Sequence, residues 1–191
     1  MMKSRTIVIV ALACFLLIVF HAQSADAQGM SPSSPALVKI SVSSQIQCGA
    51  NPVSLEPYDL KLTLLQVVRG KEAWDRLQAA STSNAPAKTG FDYVLALLRF
   101  ELNAKVAPGN KSFQLGQPMQ LVAMSADGKE YETVPVVPPK PELTGALKSG
   151  SPVEGWFAFQ VEQKDRKPLM AFDPSSGGAT LRGKVLWFQL Y

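Results

Sequence analysis

Hydrophobic and polar positions alternate along most of the chain. Val38, Ile40 and Val42 interleave with Lys39, Ser41 and Ser43, a period of two that predicts a half-buried strand starting at Leu37. Cys48 to Pro57 carries Gly49, Asn51 and Pro52 and reads as a loop. Leu60, Leu62 and Leu64 then alternate with Asp59, Lys61 and Thr63, in a strand continuing to Val68. In Phe91 to Leu102, Val94, Ala96, Leu98, Phe100 and Leu102 share one face while Tyr93, Leu95 and Leu97 lie on the other, as in a central strand covered on both sides. Met119 to Met124 runs into the hairpin signal Asp127-Gly128, and Glu130 to Val137 returns from it. Gly145 to Pro152 reads as a turn region. Val153, Gly155, Phe157, Phe159 and Val161 alternate with Glu154, Trp156, Ala158, Gln160 and Glu162, which puts Trp156 on the polar face. Phe113 to Leu115, Leu169 to Phe172 and Val185 to Tyr191 complete the strands.

One segment breaks the period. Ala73, Trp74, Leu77 and Ala80 fall at helical spacing within Gly70 to Ala80, so a short amphipathic helix is expected there. Short strands with turn signals between them predict an all-β fold, an antiparallel two-sheet sandwich over residues 37–191. No strand–helix–strand alternation argues for a parallel sheet. A sandwich closes its core with its own sheets, so Trp74 and Leu77 are expected to plug one open end or edge.

The N-terminal residues have a different pattern. Lys3 and Arg5 precede the uncharged apolar run Ile7 to Phe20, and Ala25-Asp26-Ala27 follows as a small-x-small site. That order predicts a signal-peptide helix over residues 1–27, cleaved after Ala27, and therefore export to the periplasm or the cell exterior. An uncleaved anchor would need a run of roughly 20 apolar residues, and this run is shorter. Lipidation at Cys14 is a third route, but the preceding Ala11-Leu12-Ala13 lacks leucine at the third position before the cysteine. Residues 28–36, containing Met30-Ser31-Pro32-Ser33-Ser34-Pro35, read as a flexible linker.

Four segments together resemble a bacterial secreted domain family of unknown function. They are Leu60 to Leu77, with Arg69-Gly70-Lys71-Glu72-Ala73-Trp74 at its centre, then Gly90 to Phe100, then Ala126-Asp127-Gly128-Lys129-Glu130-Tyr131, then Gly155 to Val161. Trp187-Phe188 in the last strand also fits. The resemblance covers residues 57–191 and implies an immunoglobulin-like fold of the telokin-like, or immunoprotective extracellular, type. It implies an exported location and brings no activity, cofactor or catalytic residue. The chain departs from the family pattern in its short link to the signal and in the additional strand expected at Leu37 to Val42.

Composition narrows the chemistry. The chain has 19 basic and 15 acidic residues; without Lys3, Arg5 and Asp26 the counts are 17 and 14. The basic residues are scattered, so no nucleic-acid footprint is read. The single histidine, His21, lies in the predicted signal, leaving no imidazole for a nucleophilic triad or for the usual zinc and copper sites. Cys48 is the one cysteine after the signal, either a buried thiol or paired with another chain. No glycine-rich loop is followed by the lysine of a phosphate cradle. Carboxylates are the remaining catalytic candidates, with Glu130 and Glu132 sharing one strand face and Glu154 and Glu162 another. Asp127, Asp165 and Asp173 sit beside turn residues. Met119, Met124 and Met170 read as packing residues. Trp74 and Trp156 are the candidate interaction surface, since an exposed tryptophan anchors a partner or a sugar ring. The sequence therefore points to an exported, non-enzymatic interaction or accessory module, with no cofactor, metal or nucleic acid expected. Its expected partner is a protein or another cell-envelope component. The alternative is a carboxylate-dependent hydrolase of envelope polysaccharide.

Overall fold

The computed structural model describes residues 28–117, 119–177 and 180–191. The predicted signal peptide, residues 1–27, lies outside them. Among the described residues the chain is mostly β, with antiparallel sheets and one α-helix. Its elements are β1 (Ser41–Gly49), β2 (Leu55–Arg69), α1 (Lys71–Ala80), β3 (Phe91–Ala104), β4 (Ser112–Leu115), β5 (Leu121–Met124), β6 (Gly145–Lys148), β7 (Val153–Glu162), β8 (Leu169–Phe172), β9 (Leu181–Gly183) and β10 (Leu186–Gln189), with a 3-10 turn at Pro174–Gly177. A five-stranded sheet has the order β7-β3-β2-β1-β9, a three-stranded sheet the order β10-β8-β5, and β4 pairs with β6. No helix among the described residues is long and apolar enough to cross a membrane.

The inward faces of the sheets meet in one apolar cluster. Leu60, Leu62 and Leu64 of β2 and Val94, Ala96, Leu98, Phe100 and Leu102 of β3 enter it from the large sheet. Ala123, Met170, Phe172, Leu186 and Phe188 enter it from the three-stranded sheet. Phe100 meets Phe172 edge to face across the interior, with ring centroids 5.1 Å apart.

The outer face of the large sheet is covered as well. β2 carries a bulge where Leu64 pairs with Leu98 but Gln66 pairs with Leu97. The extra residue, Leu65, reverses the alternation. Before it the even-numbered residues face the interior; after it Val67 packs inward and Val68 outward. Gly70, at φ +69°, then turns the chain into α1, which lays Ala73 and Leu77 on Val68, Tyr93, Leu95, Trp156 and Ala158. The exposed side of the helix carries the ion pairs Lys71–Asp75 at 2.6 Å and Glu72–Arg76 at 2.7 Å, each four residues apart.

Several expectations shift. The first strand starts at Ser41 rather than Leu37 and buries Val42, Ser44, Ile46 and Cys48, while Val38 and Ile40 stay exposed. Pairing with β2 selects the register: it begins at Ser41 opposite Thr63 and runs to Gly49 opposite Leu55, which draws Cys48 out of its expected loop. Residues 28–36, expected to be a flexible linker, are tied to β10. Trp187 donates to the Gly29 carbonyl at 2.7 Å, Ala36 to the Trp187 carbonyl at 2.9 Å, and Gln189 to the Ala36 carbonyl at 2.9 Å. The turn region at 145–152 contains β6, which pairs with β4. The expected return strand from Glu130 to Val137 is reduced to a bridge between Glu130 and Met124, after which the chain leaves the ladder. Pro135, Pro138 and Pro139 have no N–H to contribute to one. Finally, α1 covers a sheet face; it does not plug an end or edge.

Candidate functional site

The two tryptophans singled out from the sequence both belong to the layer under and around α1. Trp156 is 7% exposed, with the Arg76 guanidinium over its ring at 5.3 Å. Its strand face is polar in sequence yet buried, because the helix covers it. Trp74 is partly buried and stacks on Tyr93, with centroids 6.0 Å apart and planes 17° apart. Trp156 is thus covered by the helix, while Trp74 keeps part of its surface accessible.

A polar cluster forms where the end of β2 meets the turn after β7. The Arg69 side chain, 8% exposed, pairs with Asp92 at 3.2 Å. It also donates to the main-chain carbonyls of Asp165 at 2.7 Å and Glu162 at 3.0 Å. The Tyr131 hydroxyl donates to Asp165 Oδ2 at 2.8 Å. Burial and then the neighbouring Asp165 carboxylate push the Tyr131 phenol well above its usual range. A cleft of about 370 Å³ opens beside this cluster, lined by Asp127, Lys129, Tyr131, Glu162, Lys164 and Asp165 among others. Its charges are mixed and largely engaged: Lys164 pairs with Glu162 at 2.9 Å, and Asp165 also accepts from the Lys167 N–H at 3.0 Å.

The other carboxylates considered from sequence are similarly placed. Glu132 pairs with Lys88, and Glu154 lies 4.0 Å from Arg99. Hydrogen bonds from Ser125 to Asp127 and from Lys88 to Glu132 hold these two acids below the usual carboxylate range. A general acid needs the opposite shift. Among the described residues, no three metal-capable side chains come together.

A second feature runs along β7. After Tyr131 donates to the Ala123 carbonyl at 2.8 Å, residues 132–141 cross the outer face as an extended strap. Val134 and Val136 pack against the layer under α1. Asn84, buried after the helix, clamps the strap. It donates to the Val137 carbonyl at 2.9 Å and accepts from the Val137 N–H at 2.8 Å, and it also donates to the Leu77 carbonyl at 2.7 Å. The strap then joins the β7 edge: Trp156 donates to the Pro141 carbonyl at 2.7 Å and Leu143 to the Trp156 carbonyl at 3.0 Å.

Trp156 therefore turns its backbone groups away from β3, and the two-residue repeat turns those of Ala158 and Gln160 the same way. Among the described residues, neither the N–H nor the C=O of Ala158 or Gln160 has a hydrogen-bond partner on that side. Two small clefts lie there. One of about 180 Å³ is lined by Val134, Val136, Leu143, Phe157 and Ala158, and one of about 220 Å³ by Phe91, Tyr131 and Gln160 with Lys88, Glu130 and Glu132.

Sequence reasoning did not find Arg69, Asn84, Tyr131 or the open stretch of β7. The one signal for the last was the run of prolines, which shows that the strap cannot pair fully with its neighbour. Compared with known proteins, the chain matches no family model, no curated protein and no solved structure.

Proposed function

We propose that this chain is an exported, non-enzymatic interaction module, an immunoglobulin-like β-sandwich of the telokin-like type that binds another component of the cell envelope. The observation that carries this reading is how its ionisable groups are used. Arg69, Asp92, Tyr131 and Asp165 bond to one another and to main chain, and the acids with shifted titration are held ionised rather than poised to give a proton. That arrangement supports a scaffold and gives no support to the carboxylate hydrolase. The family resemblance over residues 57–191 and the predicted signal support the fold type and the export.

Intact-mass analysis of protein recovered from outside the cytoplasm should show a chain starting at Gln28, and in-situ crosslinking should yield a defined adduct with an envelope component. Retention of residues 1–27, or release of soluble fragments when the purified protein is incubated with isolated envelope polysaccharide, would overturn the reading.

A further inference from the structure

We propose that the slot between β7 and the strap accepts an extended peptide segment of a partner protein, which adds to the large sheet as a further strand. The proposal rests on the interaction-module reading above and names the site and the partner class. Buried main-chain polar groups are nearly always paired, yet Ala158 and Gln160, 8% and 5% exposed, leave theirs unpartnered within the described chain. Their two donors and two acceptors repeat every second residue along one line, the pattern an extended backbone presents in return. Across the gap, the N–H and C=O groups of Val134 and Val136 also have no main-chain partner among the described residues, so both walls offer polar backbone.

The strap is anchored on either side of this stretch, by Tyr131 to β5 and by Asn84 and Pro141 beyond it. The strap is therefore fixed at both ends of this stretch, and clefts of about 180 and 220 Å³ lie between it and β7. Side-chain space in the slot is small, with Val134, Val136, Leu143 and Phe157 beside the polar Thr133 and Glu142, which suits a small side chain such as alanine, serine or valine rather than an aromatic ring. The charges at the other end have both signs, and Lys88 already pairs with Glu132, so recognition follows backbone geometry more than charge.

The test is selection from a phage-displayed library of short random peptides on the folded protein, followed by synthesis of the enriched sequence. Binding should slow amide exchange at Ala158 and Gln160. Ala158→Pro should weaken binding about tenfold or more, the effect of losing a main-chain bond and filling the slot. The ladder to β3 uses the groups of Phe157 and Phe159, so this proline removes no ladder bond. N-methylating alternate peptide amides should abolish binding. Failure to enrich any peptide, protection at a different surface, or equal binding to Ala158→Pro would overturn the proposal. Should Ala158→Pro fail to fold, the exchange pattern and the N-methyl peptides decide on the unmodified protein. An envelope crosslink that survives Ala158→Pro would sink the slot and leave the module reading standing.

Discussion

Arg69 Nη1 donates to the main-chain carbonyl of Asp165 at 2.7 Å and so joins the end of β2 to the turn that follows β7. The same guanidinium holds the Glu162 and Gln163 carbonyls and the Asp92 carboxylate, and its face lies over the Tyr191 ring at 5.2 Å. One planar, fork-shaped cation therefore satisfies acceptors from two directions.

Replacing Arg69 should be costly. Arg69→Met leaves Asp92 and three carbonyls short of a donor and should lower stability by about 3–5 kcal/mol in a urea titration. Arg69→Lys should recover little of that loss, because a single ammonium cannot span the same acceptors.

The Tyr131 phenol gives a pH prediction. Its folded value is raised above the unfolded value of about 10. The stability it contributes is therefore fully present below about 10 and is lost as pH rises through and beyond that value. Denaturation midpoints measured between about pH 9 and 11 should fall more steeply for the unmodified protein than for Tyr131→Phe. Parallel slopes would show that this phenol is not linked to folding.

The helix layer should behave as core. Leu77→Ala should cost about 2–5 kcal/mol and Trp156→Ala about 3–5 kcal/mol, as expected for truncated buried side chains. Glu154→Ala, at an exposed position of the same strand as Trp156, should stay within about 0.5 kcal/mol. Thermal or urea unfolding ranks the three, and a Trp156 variant as stable as the Glu154 variant would contradict the packing under α1.

Cys48 should be chemically silent in the folded protein. It is 1% exposed, its Sγ faces the Ser112 carbonyl at 3.5 Å, and burial pushes its thiol up. A thiol-specific chromogenic reagent should label it only after denaturant is added. Rapid labelling without denaturant would place it at the surface.

Much of the β framework was legible because alternation reports burial directly. The two faces of β3 are the clearest case: Val94 to Leu102 by twos face the interior, and Tyr93 and Leu95 face the helix, as their spacing predicts. Alternation failed where tertiary contacts change its meaning. Trp156 sits among polar neighbours, but a helix more than seventy residues earlier in the chain covers that face. The bulge at Leu65 reverses inside and outside within a single apolar run, which a repeat of two cannot register. At the candidate site the problem was different. Nothing local marks Arg69 as buried or Asn84 as a clamp, because main-chain groups from segments distant in sequence are among their partners. The open groups of Ala158 and Gln160 carry no side-chain signature at all.

The attachment of residues 29–36 to β10 imposes an order of assembly. Apart from the local bond from the Gly29 N–H to the Ser34 carbonyl, Gly29 and Ala36 find their hydrogen-bond partners on Trp187 and Gln189, at the far end of the sequence. As the chain emerges, these cross-strand partners are missing until Leu186–Gln189 has paired with β8. Closing so distant a contact is slow because the intervening loop entropy must first be overcome. The first described residues are therefore among the last to be locked, and the chain keeps an unpaired leading segment while the sheets behind it form.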